Sequence, residues 1–173
     1  CLQIFHSGAN KFASESNKIQ SSNRKEAIIA LQELSREVFS SAIKENYQHR
    51  GWYNRWAQMI PHYIDWQIEH GEFWSIKDTE MTTNLPEFAN KFTLKGRLDR
   101  IDYNGHNQFA IIDYKTGSIP NTQDIKSGES VQLPFYHLLM QKNVEQISYL
   151  GFDIKKIKQV KIESEQLLEL KEK

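Results

Sequence analysis

The chain has one cysteine, Cys1, in 173 residues, along with four prolines and eight glycines. A single thiol excludes a disulfide framework and any metal or cluster site built from several cysteines of this chain. It leaves no Cys/His nucleophile arrangement, and no Gly-x-Ser-x-Gly elbow supplies a serine in its place. The Gly-x-x-x-x-Gly-Lys-Ser/Thr loop is also missing, so any nucleotide-driven motor lies elsewhere. No signal peptide and no apolar run long enough to cross a bilayer can be read. With no disulfide framework, this favours a reducing, cytoplasmic compartment and no membrane partner. Net charge is absent too: 22 basic and 22 acidic residues cancel, although Lys155-Lys156-Ile157-Lys158-Gln159-Val160-Lys161 is locally basic. Charge alone therefore does not predict tight, nonspecific binding to a polyanion.

What is present is enough for a sizeable core. With 39% hydrophobic and 25% charged residues, the expectation is one compact domain over residues 1–173, without repeats or low-complexity tracts. The first residue is Cys rather than Met, which reads as a chain cut from something longer. Ile28, Ile29, Leu31, Leu34, Val38, Phe39 and Ile43 recur at helical spacing and predict an amphipathic helix over 23–43, capped by Ser22 or Asn23. A second helix is predicted over 51–69, carrying Trp52, Trp56, Met59, Ile60, Ile64, Trp66 and Ile68, with Pro61 expected to kink or divide it. The aromatics sit at core-like spacing, which favours packing over stacking on bases. Strands are predicted near 73–83, 91–102, 108–115, 146–153 and 158–163, then a short helix from Ser164 to the end. The class is α/β or α+β.

The stretch Gly96-Arg97-Leu98-Asp99-Arg100-Ile101-Asp102 is followed eleven residues on by Asp113-Tyr114-Lys115-Thr116-Gly117. Phe109 to Lys115 is short, apolar and rich in β-formers, so it reads as a buried strand with Asp113 and Lys115 on one face. Asn104-Gly105 between the two stretches predicts a turn, making Phe92–Asp102 the antiparallel partner and bringing Asp99 beside Asp113. Two neighbouring carboxylates repel unless a positive charge lies between them, and hard oxygen donors suit Mg²⁺ or Mn²⁺. Lys115 beside such a site can hold or deprotonate a water, which is the equipment of a metal-dependent phosphodiesterase. The plainer reading is an exposed hairpin on which Lys95, Arg97, Asp99, Arg100 and Asp102 satisfy one another.

Gly-x-x-Asp followed by Asp-Tyr-Lys-Thr-Gly resembles the core of the RecB-family nucleases in the PD-(D/E)xK superfamily. That family places Gln-x-x-x-Tyr on a helix after the catalytic strand, and Gln132-Leu133-Pro134-Phe135-Tyr136 is similar to it. Spacing i, i+4 puts Gln132 and Tyr136 on one helical face, and Pro134 is tolerated in the first turn of a helix starting near Ser130. The resemblance covers residues 96–136 and rests on the order and spacing of three motifs. It implies a restriction-endonuclease-like fold, a central mixed β-sheet flanked by helices, and a Mg²⁺- or Mn²⁺-dependent deoxyribonuclease. Asp99, Asp113 and the backbone carbonyl of Tyr114 would bind metal, Lys115 would activate water, and Gln132 and Tyr136 would support the lysine, the metal site or the phosphate. DNA is the implied substrate, with DNA repair or recombination as setting, exonuclease action among the possibilities, and a helicase-nuclease parent as partner. The family's iron–sulphur variants need four cysteines and are excluded.

The family often carries an early histidine in the context His-x-x-x-x-x-Phe, and His6 to Phe12 matches it. His6 is thus an additional ligand or an ordinary, partly exposed histidine near a fraying end. Strand parity puts Asp102 on the face opposite Asp99, paired with Arg100 or Arg97. Glu80 reads as structural or peripheral, and His49, His62 and His70, spaced by thirteen and eight, do not form a metal cluster. Ser118–Gly128 reads as a polar loop able to meet a substrate strand. The alternative to a nuclease is an inactivated module of the same fold that binds DNA or a partner in a repair complex.

Overall fold

The computed structural model of the protein describes residues 12, 19–88, 92–153, 155–163 and 166. The chain divides into two compact units, Cys1–Phe73 with Phe152–Lys158, and Trp74–Gly151 with Gln159–Lys173. Two long helices form most of the first, α1 (Arg24–Glu45) and α2 (His49–His70). The α1 stripe that becomes buried is Ala27, Leu31, Ser35, Phe39 and Ala42, while Ile29 of the predicted stripe is 54% exposed. Small residues (Ala27, Ser35, Ala42) alternate with Leu31 and Phe39 along this stripe. The indole N–H of Trp56 donates to Ser35 Oγ at 2.7 Å, and Arg24 grips Asp65 through Nε and Nη2. Trp56, Tyr63 and Phe152 pack their rings together within this unit.

Three expectations change here. Pro61 lies inside α2 without dividing it, because Trp56, Met59, Ile60, Tyr63 and Ile64 bury both flanks and hold the helix across the missing donor. Trp52, expected in the core, is 39% exposed with Arg55 over its ring. Asn23 holds the N-cap position of α1, yet its Oδ1 accepts from Gln20 N in the preceding 3₁₀ turn rather than from a helix amide.

The strands are β1 (Ser75–Phe88), β2 (Phe92–Tyr103), β3 (Phe109–Lys115), β4 (Val144–Asp153) and β5 (Lys156–Glu163), and they form one mixed sheet in that order. The pairs β1/β2 and β2/β3 are antiparallel and β3/β4 is parallel. A parallel pair needs a crossover, here made by α3 (Thr122–Lys126) and α4 (Gln132–Met140). The expected polar loop over Ser118–Gly128 therefore contains a helix. Asn121 caps it by accepting from the N–H groups of Gln123 and Asp124, Asp124 returns the bond to Asn121 N–H, and Ile125 is buried. The second unit's core gathers Leu98, Ile101, Phe109, Ile111, Ile125, Leu133, Met140, Val144, Ile147, Tyr149 and Ile162. β3 is buried along its length up to Lys115, as its short, apolar sequence rich in β-formers predicted. The arrangement is α+β, with a mixed sheet and helices in the order that the resemblance implies. The helix expected from Ser164 to the end lies outside the described residues, apart from Gln166.

Candidate functional site

β3 delivers Asp113 into the interior with 2% of its surface exposed, so its carboxylate must find partners. Lys115, two residues on and on the same face, brings Nζ to 2.7 Å from Oδ2. Gln132, the first residue of α4, donates from Nε2 to Oδ1 at 2.7 Å. Its amide also donates to Tyr136 Oη at 2.9 Å and accepts from Lys115 Nζ at 2.6 Å, so both amide protons and the oxygen are engaged. This settles which way the amide points: turning it over would set oxygen against carboxylate and nitrogen against ammonium. Tyr136 stands one helical turn after Gln132, and burial, followed by the charges of Asp113 and Asp99, pushes its phenol up, against the Gln132 bond. It is thus a neutral hydroxyl at ordinary pH.

Asp99 comes from β2. The β2/β3 pairing runs to Arg100 opposite Ile112, and one step farther the same register sets Asp99 across from Asp113. There its Oδ2 accepts the backbone N–H of Tyr114 at 2.9 Å. Burial pushes the Asp99 carboxyl above its ordinary range, opposed by that bond and by the charges of Lys115 and Arg97, while Glu80 adds to the rise. Asp102 turns to Arg100, as parity required: Arg100 Nε and Nη2 donate to its two oxygens at 2.7 Å each, with both side chains fully buried and Arg100 Nη1 3.4 Å from Tyr114 Oη. Arg97 pairs instead with Glu80 at 2.5 Å.

A divalent ion fits this donor set. Among the described residues no three His, Cys, Asp or Glu converge on one point. Two carboxylates are nonetheless the ordinary protein contribution to Mg²⁺, which keeps several waters and takes further oxygens from phosphate. The charge also fits, because burial raises the Asp99 carboxyl and an added cation would oppose that rise.

Asp113, Lys115, Gln132 and Tyr136 are thus joined by direct bonds, and Asp99 stands at the neighbouring strand against the Tyr114 backbone. His6 lies outside the described residues. His49 bonds the Ala42 carbonyl at 2.8 Å and His70 stacks on Trp66, both roles of packing. Sequence reasoning missed Tyr149, whose ring lies under Lys115 Nζ at 5.0 Å from its centroid and whose hydroxyl is 2.8 Å from Ser130 Oγ. Tyr149 pairs with Asp113 in the parallel β3/β4 register, and no local pattern signals a register set across a crossover.

An uncharacterized protein of Rickettsia bellii is 27% identical over 125 residues, covering 69% of this chain and 15% of the relative. An ATP-dependent helicase/deoxyribonuclease subunit of Carboxydothermus hydrogenoformans is 39% identical over 83 residues, 46% of this chain and 7% of that protein. The chain thus spans a small part of the length of these relatives. The solved structure of SSO0001 is similar at 21% identity and a TM-score of 0.39, covering 79% of this chain and 67% of that one. A model of the PD-(D/E)XK nuclease superfamily matches residues 3–173, and the chain belongs to that superfamily.

Proposed function

We propose that the chain is a divalent-metal-dependent deoxyribonuclease that hydrolyses phosphodiester bonds, working in DNA repair or recombination within a longer helicase-associated protein. The observation that carries this reading is the buried Asp113 carboxylate shared between Lys115 and Gln132, with Asp99 on the adjoining strand. Asp99, Asp113 and the Tyr114 carbonyl would hold Mg²⁺ or Mn²⁺, with His6 as a further ligand. Bound there, the ion supplies a Lewis acid that neutralises charge developing on the phosphate.

The chain's own residues supply orientation and proton handling. Lys115 positions and activates the attacking water through Nζ; the water oxygen bonds to phosphorus as its proton passes to solvent, the bond to the sugar oxygen breaks, and that oxygen leaves as a hydroxyl after taking up a proton from solvent. Gln132 fixes Lys115 through Oε1 and Asp113 through Nε2, so one amide sets the spacing between water and carboxylate. Tyr136 accepts from Gln132, which leaves its phenolic proton for a phosphate oxygen.

The test is cleavage of end-labelled linear and circular DNA, single- and double-stranded, by the purified chain and by Asp113→Ala in Mg²⁺, Mn²⁺ or EDTA. Cleavage should vanish in EDTA and in the variant while the variant keeps its circular dichroism. Metal-dependent cleavage retained by a clean Asp113→Ala preparation would overturn the assignment, and a wild-type chain that neither cleaves nor binds metal would favour a structural module.

A further inference from the structure

Three residues other than glycine have positive φ among the described residues. Asn107 is in the β2/β3 turn and Gln141 ends α4, places where such a conformation is ordinary. Glu80, at φ 53°, lies inside β1. Thr79 pairs with Arg100 and Met81 with Leu98, so Glu80 is level with Asp99. A left-handed conformation costs a side chain with a Cβ, and within a strand it re-aims that side chain. Here the carboxylate is brought 2.5 Å from Arg97 Nη2. Strain held in place opposite a site acid calls for a functional account, because an exposed ion pair contributes little to stability by itself.

Lys115 and Arg97 are cations that act on Asp99. Lys115 is engaged by Asp113 and Gln132 and its side chain is 26% exposed. Arg100, the next arginine along β2, is fully buried against Asp102. The Arg97 side chain is 52% exposed, and a guanidinium carries five N–H donors of which a carboxylate takes one edge. We infer that Arg97 binds a non-bridging oxygen of a backbone phosphate of the DNA strand held at this site, and that Glu80 is a positioning residue that keeps the guanidinium beside Asp99. This rests on the nuclease reading and adds to it a contact that recognises the sugar-phosphate chain rather than base identity.

The contact is tested by fluorescence anisotropy with a labelled oligonucleotide across a range of salt, in EDTA, using the Asp113→Ala chain as parent so that nothing is cleaved. Adding Arg97→Ala should weaken binding about tenfold and lower the slope of log affinity against log salt by about one. Arg97→Gln, which keeps more of the side chain's packing, should lose the same slope. Arg97→Lys should keep the slope and lose part of the affinity, because the charge stays but the planar fork goes. Glu80→Gln should keep the slope and weaken binding by a smaller factor, since the guanidinium remains but is no longer held. Unchanged affinity and slope in both Arg97→Ala and Arg97→Gln overturns the phosphate contact; tighter binding by Glu80→Gln overturns the positioning role. Failure of the nuclease reading has a different signature: the parent binds no oligonucleotide at any salt and the wild-type chain cleaves none, which overturns this inference with it.

Discussion

The charges of Asp99 and Asp113 both act on the Tyr136 phenol, yet the fold treats the two carboxyls differently. Asp113 receives an ammonium and an amide N–H, one at each oxygen, whereas Asp99 receives the Tyr114 N–H and is raised by burial against that bond and the charges of Lys115 and Arg97. An acid raised in the folded state binds more protons folded than unfolded, so its contribution to stability falls as pH rises from the ordinary carboxylate range through the folded value. Below the ordinary range both states are protonated and the penalty is absent. Asp99→Asn keeps an acceptor for Tyr114 N–H and removes the charge. In EDTA it should melt higher than wild type at neutral pH, with the difference shrinking below about pH 4; a lower melting temperature at neutral pH would contradict this. The motif order singled out these acids, and strand parity separated Asp99 from Asp102. That Asp102 lies in a fully buried pair with Arg100 was not legible, because burial is set by neighbouring elements and not by the strand's own residues.

At the scale of elements, the site depends on how closely α4 approaches the sheet. β2 passes beneath α4 at Gly96, where an added Cβ would run into the Leu139 Cδ1 methyl and press on the Phe135 ring, so that Leu139 must shift. The glycine is needed for clearance, and it precedes Asp99 by three residues, so the Gly-x-x-Asp spacing joins a packing requirement to a chemical one. Gly96→Ala should destabilise the chain by about 1–3 kcal/mol in urea unfolding, the usual cost of overpacking. It should also slow cleavage, because the displaced helix carries Gln132 away from Asp113 and Lys115; a fully stable, fully active Gly96→Ala chain would show that α4 yields without consequence. Periodicity located α1, α2 and all five strands, with the observed ends within two residues of the predicted ones except at the end of β1, which runs five residues farther. It failed for α3, which is too short to show a helical period and owes its existence to the Asn121/Asp124 caps and the burial of Ile125.

For the whole molecule, the bonded site group and Asp99 belong to the unit Trp74–Gly151 with Gln159–Lys173. If two carboxylates hold an ion in the folded state and the unfolded chain does not, Mg²⁺ or Mn²⁺ at a hundred times its dissociation constant should add about 2.7 kcal/mol. That corresponds to a rise in melting temperature of roughly 5–11 °C for a chain of this size. The rise should be lost in Asp113→Ala, and an unchanged wild-type melting curve across metal titration would sink the metal assignment. Zero net charge means that any DNA binding relies on local groups rather than on the overall field, and no helix among the described residues is long and apolar enough to cross a membrane. The residues by themselves determined α1, α2 and the five strands, the order of the motifs, and the shared faces of Asp113 with Lys115 and of Gln132 with Tyr136, because strand alternation and the helical period are local properties. Only the tertiary structure decided that Gln132 bridges Asp113 and Lys115, that Tyr149 lies under the lysine, and that Glu80 twists to hold Arg97. Those meetings depend on strand register across a crossover and on the clearance between helix and sheet, which packing between distant segments sets and no local pattern encodes.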